Sequence, residues 1–214
     1  MEVFHTDRIS GRDFERILSI LQDGGVIGFP TDTAYGLGAD PFNADAIDRI
    51  FAIKGRAEAK PILLLVNSIL MAESVSDPAP PFYEVAGKFW PGPLTVIVPA
   101  SKALPDNLTA GTNTIGLRWP VATFATRLVE QFGKPITATS ANRSGMAAAV
   151  TVEEVRSQIG DSVEVLIDGG RLPSRSGSTL LDLTADPPLL LREGPVTFES
   201  LDDFFKGRLR RQVA

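Results

Sequence analysis

Short apolar runs alternate with amphipathic helical stretches along almost the whole chain, and glycine or proline marks nearly every change of period. That alternation admits few architectures, because each apolar stripe has to be covered by a neighbouring layer. In residues 12–22, Phe14, Ile17, Leu18 and Leu21 recur at i, i+3, i+4 and i+7. Ser10 is placed to cap that helix and Gly24-Gly25 to stop it. Further helices are predicted from Asn43 to about Ile53, near 67–75, over 82–90, over 121–132, from the capping-box sequence Thr151–Glu154 to about Ile159, and from about Ser200. Val26–Phe29, Ile62–Val66, Leu94–Val98, Thr114–Arg118, Ile136–Thr139, Val163–Ile167, Ser178–Leu183 and Leu189–Arg192 read as strands. Two strand pairs have no helix between them. The pattern therefore predicts an α/β protein, formally α+β, with a twisted mixed sheet and helices on both faces. With 214 residues and no dividing linker, one domain is expected over 1–214. Its core lies at about 10–196, and 197–214 form a short helical tail.

Residue usage narrows the chemistry. There is no cysteine and one histidine, His5. Disulfides, thiolate metal sites and a cysteine nucleophile are excluded, and a serine–histidine triad or histidine-rich metal site is disfavoured. What remains is lysine, arginine, carboxylates, hydroxyls and backbone amides. That set suits phosphate chemistry, where positioning and charge stabilisation outweigh proton transfer. A net charge of -5 argues against a broad basic surface for nucleic acid, but leaves room for a local basic pocket. The longest apolar run, Ile62–Val66, is too short to span a bilayer, and the first residues lack a signal-peptide pattern. A cytoplasmic location is expected. The basic run Lys206–Arg211 reads as a solvated helix end.

Three loops gather the polar residues: PTDTAYGLG (30–38), Lys54-Gly55-Arg56 and SANRSG (140–145). Each has a plain structural reading as a turn or helix C-cap. Each also has a functional one, in which glycines let amides approach an anion, cations neutralise it and hydroxyls orient it. Lys60, ahead of Pro61, lies close to the second loop. Arg118 and Arg192 end two predicted strands and would complete a cationic cleft if those ends meet. Trp90-Pro91-Gly92-Pro93 reads as structural, with Trp90 anchoring core. Asp168-Gly169-Gly170 and Asp182 read as turns before they read as magnesium ligands.

Taken together, the motifs PTDTAYGLG, KGR, FWPGPLT (89–95), TIGLRWP (114–120), SANRSG, LIDGG (166–170), ST (178–179) and LLREG (190–194) resemble the YrdC-like family over about residues 10–196. The resemblance implies a three-layer fold around a concave, positively charged cavity. It implies a synthase that joins L-threonine, bicarbonate and ATP into threonylcarbamoyl-adenylate and pyrophosphate, magnesium accompanying the ATP. A separate transferase complex then acts on adenosine 37 of tRNA. By the same resemblance, Thr33, Arg118, Ala138 and Ser178 fall where the family binds threonine. Arg56, Lys60, Thr114, Ser140 and Arg192 fall where it binds ATP. Lys54, Arg56, Ser140 and Asn142 match its signature at the reacting centre. No metal site held by the protein itself is implied. The chain departs from the pattern at Lys60, Leu65 and Ala148-Ala149-Val150. Two other readings are a non-catalytic module contacting tRNA or double-stranded RNA, and a relative that adenylates a carbamoyl group.

Overall fold

The computed structural model describes residues 1–55, 62–121, 123–173 and 177–212. In chain order the elements are β1 (Glu2–His5), α1 (Gly11–Gln22), β2 (Ile27–Pro30), β3 (Tyr35–Gly38), α2 (Ala44–Lys54), β4 (Leu64–Leu65), α3 (Ile69–Ser74), α4 (Pro81–Phe89), β5 (Leu94–Pro99), α5 (Asp106–Thr109), β6 (Thr114–Arg118), α6 (Phe124–Phe132), β7 (Ile136–Thr137), β8 (Thr139–Ser140), α7 (Val152–Ile159), β9 (Val165–Asp168), β10 (Thr179–Asp182), β11 (Leu189–Arg192), α8 (Phe198–Phe204) and β12 (Arg210–Arg211).

The mixed α/β class holds, and the strands are dealt between two sheets. One runs β1-β9-β2-β3-β8 and the other β12-β11-β10-β5-β6-β4-β7. The predicted strand at 136–139 is where they part. Ile136 and Thr137 pair with β4, whereas Thr139 and Ser140 pair with β3. Ala138 sits at the crossing and donates its N–H to the Leu63 carbonyl at 2.9 Å.

Period-2 alternation explains the layers. In the first sheet Ile27, Phe29, Val165 and Ile167 face α1 and α6, packing with Phe14, Ile17, Leu128 and Val129. Tyr35, Leu37 and Leu166 lie in the other cluster, with Ile47 of α2 and Val155 of α7. Helices therefore cover both faces of this sheet. In the second sheet Leu94, Val96, Val98, Ile115, Leu117 and Leu181 enter that cluster together with α2, α4 and α8. Each such fully buried side chain contributes about 1.5–3 kcal/mol over leaving it in water. Their alternates on the same strands face a cavity.

The predicted caps form. The Ser10 hydroxyl accepts from the Asp13 N–H at 3.2 Å, and Asn43 from the Ala46 N–H at 3.0 Å. Thr151 accepts from the Glu154 N–H, while Glu154 reaches back to the Val150 N–H at 3.0 Å. Gly55 ends α2 in the left-handed conformation, φ 62°. Trp90 is buried as expected, its indole donating to the Leu94 carbonyl at 2.7 Å.

Two further expectations change. The stretch Tyr35–Gly38, taken as loop, is a buried strand antiparallel to β2. The basic tail is not a helix end: Lys206 (φ 56°) and Gly207 (φ 75°) turn the chain, and Arg210-Arg211 lie parallel to β11 as an edge strand. Among the described residues, no helix is long and apolar enough to cross a membrane.

Candidate functional site

The free face of the second sheet is the floor of a cavity of about 560 Å³. Thr95 and Ile97 of β5, Thr114, Gly116 and Arg118 of β6, Leu180 and Asp182 of β10, and Leu63 and Leu65 at β4 line it. Strand register sets neighbours: Leu65 lies beside Arg118, Gly116 beside Ile97, and Leu180 beside Thr95. Gly116 keeps the floor low. A Cβ there would lie 3.2 Å from Thr95 Cγ2 and 3.3 Å from Leu63 Cβ. The opposite wall comes from the first sheet and its loops, through Thr33, Tyr35, Gly36, Thr139 and Ser140. Ala138, where the chain passes between sheets, completes the lining.

Positive charge gathers at one end. Arg118 is 4% exposed. Its guanidinium donates from Nη1 to the Thr33 hydroxyl at 3.2 Å and from Nε to the Gly92 carbonyl at 3.4 Å, and its Nη2 pairs with Asp32. Burial pulls the Arg118 pKa down while Asp32 opposes that shift; the group stays charged. Thr33 is itself fixed by Thr31, whose hydroxyl lies 3.2 Å away and donates to the Ala34 carbonyl at 2.7 Å. Arg192, from β11, donates twice to the Ser178 carbonyl, at 3.1 and 2.8 Å. Burial, and then the charge of Arg118, hold the Arg192 guanidinium below its ordinary pKa. The Ser178 and Thr95 hydroxyls are buried and 2.6 Å apart. A guanidinium held by two hydrogen-bond acceptors and one ion pair is preorganised for an anion, and a second one nearby suits a second anion.

The SANRSG loop forms one rim. Asn142 is buried, and its Nδ2 donates to the Arg143 and Met146 carbonyls at 2.9 and 2.6 Å. Lys54 is buried behind the loop, its Nζ 2.5 Å from the Ser140 carbonyl and 3.0 Å from that of Asn142. Asp168 plays the turn role expected of it, accepting from the Gly170 N–H at 2.8 Å. Asp182 accepts from the Thr184 N–H and hydroxyl at 2.8 and 2.6 Å. Among the described residues, no three His, Cys, Asp or Glu side chains converge as metal ligands.

Thr33, Thr114, Arg118, Ala138, Ser140, Ser178 and Arg192 thus line one cavity. Lys54 and Asn142 stand behind its rim. Arg56 and Lys60 lie outside the described residues. Sequence reasoning missed Thr95 and Gly116 as lining residues, and read Asp182 as a turn rather than as part of the cavity. Alternation along β6, two and four residues back from Arg118, points to Gly116 and Thr114. Asp32 carried no signal that it would meet Arg118.

Fold and site define a two-sheet α/β protein whose interior cavity presents two arginines, Arg118 and Arg192, that suit an anionic small molecule. The sequence model described as "Telomere recombination", for Sua5, YciO and YrdC, matches residues 19–194, and the chain belongs to that family. It is 37% identical over 183 residues to a threonylcarbamoyl-AMP synthase of Pyrococcus abyssi, covering 85% of this chain and 54% of that protein. It is 36% identical over 201 residues to the Bacillus subtilis threonylcarbamoyl-AMP synthase, covering 92% of this chain and 58% of that protein. The chain therefore spans little more than half the length of these two relatives. The crystal structure of P. abyssi Sua5 complexed with L-threonine superposes with a TM-score of 0.91 at 34% identity, over 99% of this chain and 63% of that one.

Proposed function

We propose that the chain is an L-threonylcarbamoyladenylate synthase, using L-threonine, bicarbonate and ATP. The observation that carries this is the buried, preorganised Arg118 at the foot of a cavity large enough for a nucleotide and an amino acid. The relatives' names and the threonine complex of P. abyssi Sua5 support it. In this reading Arg118 and the Thr33 and Ser178 hydroxyls hold threonine, with Ala138 supplying backbone. Arg192, Thr114, Ser140, Arg56 and Lys60 hold ATP, and magnesium arrives on its phosphates.

Bicarbonate takes up a proton and loses water to give carbon dioxide; the neutral threonine nitrogen adds to its carbon and releases a proton in turn, leaving a carbamate. A carbamate oxygen then attacks the α-phosphorus, and the bond to pyrophosphate breaks. Cations around the cavity neutralise charge that builds on the leaving oxygens. Residues 1–214 act as one domain in the cytoplasm, and the adenylate passes to a transferase that modifies tRNA.

Pyrophosphate release from ATP and bicarbonate, with and without L-threonine, tests the reading. Threonine-dependent release that collapses in Arg118→Ala supports it. Threonine-independent release, or none from a folded ATP-binding chain, overturns it.

A further inference from the structure

We infer that Lys54 is a positioning residue: a buried strap that fixes the 140–146 loop from behind, without touching a triphosphate. The inference rests on the adenylating reading only for the identity of the ligand.

Lys54 is the last residue of α2 and is 1% exposed. Its Nζ lies 2.5 Å from the Ser140 carbonyl, 3.0 Å from the Asn142 carbonyl and 3.5 Å from Asn142 Oδ1. An ammonium has three protons on a compact centre, and those oxygens accept from it. The backbone closes the clasp, because the Ser144 N–H donates to the Lys54 carbonyl at 2.9 Å. Ser140 and Ala148 line the cavity, whereas Lys54 does not.

Burying an ammonium is costly unless acceptors replace its water. The loop carbonyls replace it here. Swinging Lys54 towards a phosphate would strand those carbonyls and release the loop that carries Ser140. The cation is therefore spent on shape. It holds one rim of the cavity at fixed distance from Tyr35, whose carbonyl accepts the Ala141 N–H at 2.8 Å.

Three measurements separate a strap from a phosphate ligand. In the wild type, amine acetylation followed by peptide mapping should modify Lys54 at least tenfold more slowly than exposed Lys88 and Lys102, with or without ATP. Labelling of Lys54 at their rate, suppressed by ATP, would overturn the strap. In Lys54→Met, hydrogen exchange of the 140–146 amides should rise at least tenfold without ligand, and unchanged exchange would overturn it. The same variant should weaken ATP and adenosine by factors within threefold of each other. A loss at least tenfold greater for ATP would mark a phosphate contact and overturn the strap. The labelling arm needs no variant to fold. Failure of the wild type to bind ATP would overturn the adenylating reading, with the labelling and exchange arms still deciding the strap.

Discussion

Asp32 and Arg118 form an ion pair in which both side chains are almost wholly buried, at 10% and 5% exposure. The carboxylate comes from the loop between β2 and β3, and the guanidinium from the end of β6 in the other sheet. One contact therefore joins the two sheets and aims the cation that faces the cavity. Asp32→Asn keeps the shape and removes the compensating charge, leaving Arg118 and Arg192 to repel each other. Removing one partner of a buried pair costs up to about 3–5 kcal/mol, and an amide that still accepts a hydrogen bond recovers part of this. The expected outcome is a lower denaturant midpoint and a KM for threonine raised about tenfold, since 1.4 kcal/mol of lost binding is a factor of ten. Steady-state kinetics and urea unfolding check both. An unchanged midpoint and KM would show the pair to be inert.

Ser178 and Thr95 share a buried hydrogen bond of 2.6 Å beside Arg118. Ser178→Ala leaves the Thr95 hydroxyl to find another partner, at a cost of about 1–3 kcal/mol for a buried orphan. The KM for threonine should rise more than that for ATP. Equal effects on both would place Ser178 in the scaffold alone.

Gly194 follows β11 where no side chain fits. A Cβ there would sit 2.7 Å from the Thr179 nitrogen, 2.9 Å from the Ser178 carbonyl carbon and 3.0 Å from the Gly177 oxygen. All three are backbone atoms and cannot swing aside. Gly194→Ala should push back the start of β10, destabilise by about 1–3 kcal/mol and lower activity through Ser178. Thermal unfolding with and without threonine and ATP would read both effects.

Tyr35 is fully buried, and its hydroxyl donates to the Gly170 carbonyl at 2.8 Å while accepting the Gly169 N–H at 3.0 Å. Burial pushes the phenol up to about 12. An unfolded tyrosine ionises near about 10. Between those values the unfolded chain has released a proton that the folded chain keeps, so stability falls as pH rises through this window. A near-ultraviolet titration should show Tyr35 ionising after Tyr83, whose own phenol is raised by its hydrogen bond to Glu73, and Tyr35→Phe should abolish the latest component. Early ionisation of both would contradict the burial.

Much of this was legible in the sequence because local rules and the final packing agree. Ser10, Asn43 and Thr151 cap where their side chains allow, and Phe14, Ile17 and Leu21 bury as their spacing demands. Thr114, Gly116 and Arg118 alternate with Ile115 and Leu117, so the site face was written into β6. Three things were not legible. Strand pairing is non-local, and nothing in Ile136–Ser140 announces that the chain leaves one sheet and enters the other at Ala138. The Asp32–Arg118 contact depends on that same assembly. Tyr35–Gly38 looked like loop because glycines weaken a strand signal. Here a Cβ at Gly38 would come within 2.7 Å of the Phe29 ring, so glycine is what lets β3 lie against that ring.

The place of β9 between β1 and β2 bears on biosynthesis. Among the described residues, β1 pairs with β9 alone, and β9 ends at Asp168. A chain emerging from the ribosome therefore carries Glu2–His5 without its neighbour until most of the sequence has been made. The β2–β3 hairpin can close early, but its flank stays open to other strands during that interval. The cavity comes later still, since Ser178 and Arg192 follow. Nascent chains halted before Asp168 should be protease-sensitive at their N-terminus and unable to retain ATP; N-terminal protection should appear once β9 has been released, and ATP retention only after β10 and β11.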